Sequence, residues 1–333
     1  MKIMISFLLV LTFVENVFPD NYITKGPAIG EIYFIGTTYT GTGIYYSTNF
    51  GETAICVDSI VTNDLIYITA DKTPNVLYYV NDFGEFYVSN NNGLQGSWEL
   101  KNSDVANRLE SGRIAGEVYA SFYMRSVDFG ENFQYHTCNG FFGSAKSSAL
   151  DETNENIGYV LASKSNIPDS IYLFYTDDNF ENLSVKNIFN FPNGEHLFLT
   201  RGTISGRLYM FNRTRGELYY SYNYAESFNL NEFYNFPNNC IPIGGRQEGE
   251  LYIVLYHINM MWQDAHTYIL HSTDYGITFE VFHPFAKGQP PLLANFSGIT
   301  DTINSFSKNQ IPKYGGAPLD VQFHNYSIGD ITS

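Results

Sequence analysis

The sequence predicts an all-β ring, a six-bladed β-propeller with four-stranded blades, and three observations carry that prediction. A turn phrase recurs six times, most fully as Ser47-Thr48-Asn49-Phe50-Gly51-Glu52-Thr53, Ser126-Val127-Asp128-Phe129-Gly130-Glu131-Asn132-Phe133 and Ser272-Thr273-Asp274-Tyr275-Gly276-Ile277-Thr278-Phe279. A strand-like phrase precedes every copy, as in Gly30-Glu31-Ile32-Tyr33, Gly116-Glu117-Val118-Tyr119 and Gly249-Glu250-Leu251-Tyr252. No stretch holds a helical period, while 17 % of residues are aromatic, a composition suited to sheets packed face to face.

The weaker turn copies are Ser89-Asn90-Asn91-Asn92-Gly93, Thr176-Asp177-Asp178-Asn179-Phe180 and Ser221-Tyr222-Asn223-Tyr224-Ala225-Glu226-Ser227-Phe228. Copies begin at 47, 89, 126, 176, 221 and 272, a spacing that matches one propeller blade per repeat. Blade two reads most plainly. There Leu65–Thr69, Val76–Val80, Phe86–Ser89 and Trp98–Leu100 are four strands separated by turn residues. A seven-bladed ring is the alternative, if residues before Gly30 and after Phe282 build another blade.

Each turn is a device of local hydrogen bonding. Its first residue is a hydroxyl (Ser47, Ser89, Ser126, Thr176, Ser221, Ser272) and its third an Asx side chain (Asn49, Asn91, Asp128, Asp178, Asn223, Asp274) that can accept from nearby backbone N–H groups. Gly51, Gly93, Gly130 and Gly276 then supply a positive φ at low cost. Phe180 and Ala225 stand where that glycine is expected, so distortion is expected in copies four and five. Asn replaces Asp in half the copies, so geometry rather than charge is the requirement. Calcium ligation or acid–base catalysis would not tolerate that exchange.

The turn phrase resembles the Asp-box, or BNR, repeat of sialidase-like and sortilin-like β-propellers. The resemblance implies that each box joins the third and fourth strands of its blade and that ligands approach loops around the central channel on the other side. Sialidases of that superfamily also imply three carboxylate-holding arginines and an Arg-Ile-Pro phrase in the first blade. Here the arginines are 108, 113, 125, 201, 207, 213, 215 and 246, and Arg113-Ile114 is followed by Ala115, so sialidase chemistry is not expected. Neither Gly-x-Ser-x-Gly nor His-Glu-x-x-His occurs, and no metal or other cofactor is expected.

The ends of the chain differ from the repeats. Lys2 followed by the apolar run Ile3–Val14 has the layout of a secretory signal peptide over residues 1–20, with the propeller expected at 22–289. Residues Gly316–Thr332 resemble the opening strands of a PKD domain, so 290–333 is expected to be a linker and the incomplete start of such a sandwich. The formal charge of −16 argues against nucleic acid and anionic membranes. Cys56, Cys138 and Cys240 are too few for a disulfide scaffold. The expected product is a secreted or cell-surface monomer, with no membrane insertion after signal cleavage.

The segment Tyr256–Tyr268 is read as a long connection between the second and third strands of blade six. It carries Trp262, able to stack on a sugar or an aromatic side chain, with Asp264 and His266 as polar partners. The plainer reading is a hairpin whose apolar residues cover the rim. Cys138-Asn139-Gly140-Phe141-Phe142-Gly143 is a second candidate loop. The function expected is a binding or interaction module for an extracellular glycan, peptide or protein. The alternative is a glycoside hydrolase or lyase of the sialidase-like superfamily, without the arginine triad.

Overall fold

The computed structural model describes residues 23–285, apart from the segments 39–40, 60–65, 82, 106–107, 155, 165–166, 192–194, 232–235, 237–239 and 260–263. The signal-like segment, the PKD-like segment and Trp262 lie outside the described residues. Blade one is β1 (Ile23–Lys25), β2 (Ile32–Thr38), β3 (Gly41–Ser47) and β4 (Ile55–Asp58), and blade two is β5 (Ile66–Ala70), β6 (Leu77–Asn81), β7 (Phe86–Ser89) and β8 (Trp98–Asn102). Blade three is β9 (Leu109–Ser111), β10 (Val118–Ala120), β11 (Met124–Ser126) and β12 (Gln134–Tyr135), and blade four is β13 (Ser144–Leu150), β14 (Gly158–Lys164), β15 (Ile167–Thr176) and β16 (Ser184–Asn190). Blade five is β17 (Leu197–Arg201), β18 (Leu208–Asn212), β19 (Glu217–Ser221) and β20 (Asn229–Asn231), and blade six is β21 (Cys240–Gly244), β22 (Leu251–Asn259), β23 (Asp264–Ser272) and β24 (Glu280–Phe282). Each blade is a four-stranded antiparallel meander, and the six blades form a ring: a six-bladed β-propeller.

Strand position within a blade follows from the sequence of its faces. The second strands are sandwiched between neighbouring blades and are apolar on both sides. The tyrosine of the strand-like phrase falls at one equivalent place in all six blades, as Tyr33, Tyr78, Tyr119, Tyr159, Tyr209 and Tyr252, each with no more than 1 % of its surface exposed. Outer strands are polar and partly exposed, as in β8 and β16. Register shifts between the third and fourth strands of blades one, two and four roughen those outer edges against further pairing.

Among the described residues no strand is exchanged between the ends of the ring, since every sheet is built from four consecutive strands. Closure depends instead on packing of blade one against blade six. Ile32, Phe34, Ile44, Val254, Ile269 and Phe282 share one buried cluster. Lys25 Nζ donates to the Gly245 carbonyl (2.9 Å) and Arg246 Nε to that of Gly26 (2.7 Å), so each end holds the other by a charged donor.

The repeated turn joins the third and fourth strands of every blade. Its hydroxyl accepts the N–H groups two and four residues on, for example from Asp128 (3.3 Å) and Gly130 (2.8 Å) to Ser126 Oγ. The fourth and fifth residues are both left-handed, as in Phe50 (φ 63°) and Gly51 (φ 93°). The distortion expected in copies four and five is absent. Phe180 and Ala225 hold φ of 67° and 63°, and their N–H groups keep the same bonds to Thr176 Oγ1 (3.2 Å) and Ser221 Oγ (3.1 Å). Their side chains point into the packing and are buried, which offsets the backbone cost. In blade one a Cβ at Gly51 would instead meet Ile269 Cγ2 of blade six at 2.7 Å, so glycine is needed there for space as well as φ.

In five copies the Asx side chain pairs with the residue four positions on. Asn49 and Asn223 face the hydroxyls Thr53 and Ser227, which accept from the amide (3.1 and 3.0 Å). Asp128 and Asp178 face Asn132 and Asn182, whose amides donate to the carboxylate (2.8 and 2.6 Å). Asp274 accepts Thr278 N (2.8 Å) and Thr278 Oγ1 (2.6 Å), and that hydroxyl could serve an amide as Thr53 does. Asp274→Asn is therefore expected to change stability by less than about 1 kcal/mol, and Asp274→Ala to cost about 1–2 kcal/mol, in urea unfolding. Equal losses from both would show that charge matters.

Candidate functional site

The six innermost strands, β1, β5, β9, β13, β17 and β21, line the central channel, and each ends in a loop on the same side of the ring as the repeated turns. Backbone bonds fix that placement: Phe50 N donates to Gly30 O (2.8 Å), Phe129 N to Gly116 O (3.0 Å) and Tyr275 N to Gly249 O (2.8 Å). Every loop closes with one equivalent bond, from Gly26, Asp71, Gly112, Asp151, Gly202 or Gly245 N to the carbonyl five or six residues on. Loop and turn thus form one face.

Beside that loop bond the copies differ. In four of the blades a carboxylate meets the buried tyrosine, from one of two chain positions. In blades one, three and six it comes from the strand-like phrase: Glu31, Glu117 and Glu250 accept Tyr33 OH (3.3 Å), Tyr119 OH (3.2 Å) and Tyr252 OH (2.7 Å). The loop then begins with glycine, because a Cβ at Gly112 would lie 2.3 Å from Glu117 Cβ. In blade two the loop residue itself is the acid, and Asp71 accepts Tyr78 OH (2.7 Å) and, across the blade boundary, Gly116 N (3.0 Å). Asp151 likewise accepts Gly206 N of blade five (2.7 Å). Burial first and the adjacent carboxylate second push Tyr33, Tyr78 and Tyr252 well above the usual phenol range, so these hydroxyls stay protonated donors.

Glu250 sets a pH dependence. Burial raises its pKa, but bonds from His271, Tyr252 and the N–H groups of Gln247 and Arg246 outweigh that and bring it to about 2, against 4.5 for an ordinary glutamate. Its folded pKa lies below its unfolded one, so its contribution is complete above about pH 4.5 and is lost as pH falls towards 2. That contribution is about 3 kcal/mol at most. The melting temperature is expected to fall between pH 5 and 2.5, and less steeply in Glu250→Gln; parallel profiles would remove Glu250 from the acid response.

At the centre of this face, charged residues from five blades converge. Glu152 Oε1 is bonded by Lys72 Nζ (2.6 Å) and Arg246 Nη1 (3.0 Å), and Oε2 by Lys25 Nζ (3.1 Å) and Arg201 Nε (2.8 Å). Four cations surround one carboxylate. Arg201 Nη2 also crosses the channel to Ser111 O (3.0 Å) and Oγ (2.9 Å). Two guanidinium nitrogens, Arg201 Nη1 and Arg246 Nη2, are shielded from solvent and have no partner. Burial raises the pKa of Glu152, but Arg201, Lys25 and Lys72 overcome it and hold the carboxyl far below the usual range. Burial carries Lys25 down to about 7 despite Glu152, with Arg201, Arg246 and Lys72 lowering it further. A cavity of about 110 Å³ continues down the channel, lined by Lys25, Glu110, Ser111, Ser147, Thr200 and Arg201 among others.

Of the expected site residues, Asp264 and His266 lie two positions apart on β23. Strands β22 and β23 pair without interruption to Asn259↔Asp264, with His257 opposite His266, so Asp264 and His266 are ladder residues. The long connection expected over Tyr256–Tyr268 shrinks to residues 260–263, because Tyr256, Ile258, Ala265 and Thr267 continue the pairing of the strands. In the second candidate loop Phe141 and Phe142 pack on Phe174, ring centroids 5.1 and 4.9 Å away, which makes it a plug between blades three and four. Cys56 and Cys138 are free thiols. Sequence reasoning missed the Glu152 cluster. The available signal was that Lys25, Lys72, Glu152, Arg201 and Arg246 sit within one residue of the same repeat position, in a chain with only 18 Lys and Arg.

The sequence matches no protein-family model and no curated protein. Among solved structures the chain is similar to YCF48 bound to D1 peptide (14 % identity, 82 % of this chain and 84 % of that one, TM-score 0.46). It is also similar to a chain of the nidogen/laminin complex (12 %, 75 % and 92 %, TM-score 0.49) and to the GH74 enzyme of Niastella koreensis (14 %, 83 % and 43 %, TM-score 0.36). At these scores the similarities inform nothing beyond the general architecture.

Proposed function

We propose that the chain is an exported propeller of the Asp-box type that serves as a binding module, docking a protein partner on the face formed by the repeated turns and the innermost loops. The observation that carries this reading is apolar. Ile29, Ile114 and Ile204 lie at the tips of the same loop in alternate blades, Ile29 one position later than the other two, and are 59 %, 52 % and 40 % exposed, with Phe129 and Tyr224 exposed beside them. Together they surround the cation-lined mouth. Apolar groups around a polar centre suit a protein surface. Hydrolysis needs an accessible acid and base, whereas both oxygens of Glu152 are taken by cations and the tyrosine-bound carboxylates are buried.

A displayed peptide library panned on the intact chain tests this. Enriched peptides are expected to bind the triple variant Ile29→Ser, Ile114→Ser, Ile204→Ser at least tenfold more weakly, with an unchanged melting temperature. Loss of binding in Trp262→Ala alone would move the site to the opposite rim. Polysaccharide turnover would favour the hydrolase reading.

A further inference from the structure

We propose that the mouth of the channel is a receptor for one carboxylate of an acidic segment of the docked partner, held by Lys25, Lys72, Arg201 and Arg246; this rests on the docking face argued above. The charge balance points there. Four basic side chains share the single carboxylate of Glu152, and each of its oxygens already has two of them within 3.1 Å. Glu110, an acid of the cavity wall, accepts Leu150 N (2.7 Å), and burial pushes its pKa up although Arg201 opposes this.

Two further observations point to a ligand. Arg201 is 4 % exposed, lines the cavity and keeps Nη1 without a partner. An unpaired buried donor is costly, and a charged one more so. The cavity of about 110 Å³ adjoins the cluster on the side of Lys25 and Arg201, which line it, and compares with about 30 Å³ per water in the liquid, which leaves room for a carboxylate and bridging water. Lys72, the most exposed of the four cations, opens the cluster to solvent. In a chain of net charge −16, this positive locus would be the place where an acidic segment meets attraction instead of repulsion. A carboxylate also matches the two-pronged donor geometry of a guanidinium.

The test uses the intact chain and a fluorescent, capped Leu-Glu-Leu-Glu-Asp-Gly peptide, its Gln/Asn isostere, and inorganic phosphate, all at fixed ionic strength. The acidic peptide is expected to bind at least tenfold more tightly than the isostere. Lys72→Gln and Arg246→Gln should each remove most of that difference and leave the isostere unaffected. Lys72→Gln decides the matter if Arg246→Gln does not fold, since Lys72 is the most exposed of the four and its loss leaves three partners on Glu152. Equal binding of both peptides would overturn the carboxylate receptor and leave the docking face standing. Binding of phosphate without peptide would show a site for a free oxyanion, and would overturn this inference and the docking face together. Undiminished preference for the acidic peptide in a folded Lys72→Gln would place recognition elsewhere and overturn the inference.

Discussion

Glu152→Ala is expected to lower the free energy of unfolding by about 3–5 kcal/mol, the cost of leaving buried charges without their counterion. Lys25, Arg201 and Arg246 would lose the one carboxylate they share while remaining largely buried. A surface comparison calibrates the effect. Glu131 also holds a lysine, Lys101, but is half exposed, and Glu131→Ala is expected to cost less than about 1 kcal/mol. Guanidinium chloride unfolding of both variants measures the contrast. A loss below 1 kcal/mol for Glu152→Ala would mean that water reaches the cluster and that the cations do not depend on it.

Gly244→Ala is the second large effect, expected at about 3 kcal/mol or more because it overpacks rigid backbone. A Cβ there would lie 1.9 Å from the carbonyl oxygen of Arg201 and 3.5 Å from Gly202 Cα, so β21 and β17 would have to separate at the centre of the ring. Nothing flexible intervenes. Gly96→Ala is the control for backbone strain alone: φ is +81° and no atom lies within 4 Å of the added Cβ. It should cost only about 1–2 kcal/mol, the penalty for a left-handed alanine. Similar losses at the two sites would indicate that the blades can shift apart at little cost.

The architecture was legible because it is written six times. Blade two follows the reading almost residue for residue, with strands at Ile66–Ala70, Leu77–Asn81, Phe86–Ser89 and Trp98–Asn102. Turn chemistry is equally local, since hydroxyl, Asx side chain and the two left-handed residues lie within five positions. The reading failed where it compared single copies with an idealised pattern. Phe180 and Ala225 looked like defects, but the hydroxyl bonds of Thr176 and Ser221 and the burial of both side chains hold the same turn. Blade six was read as carrying a long loop because Trp262, Asp264 and His266 are unusual residues, although the pairing of β22 and β23 continues through the last two.

What the sequence by itself determined is therefore what short-range physics sets: strand period, turn geometry and repeat count. The ring decided what depends on long-range assembly. Lys25 and Gly245, like Gly26 and Arg246, are 220 residues apart in number and bonded only because blade six closes on blade one. Lys72, Arg201 and Glu152 meet for the same reason, since residues at one repeat position all project towards a common axis. A single repeat carries a lone charge there, which is unremarkable, and only closure brings four cations around one carboxylate.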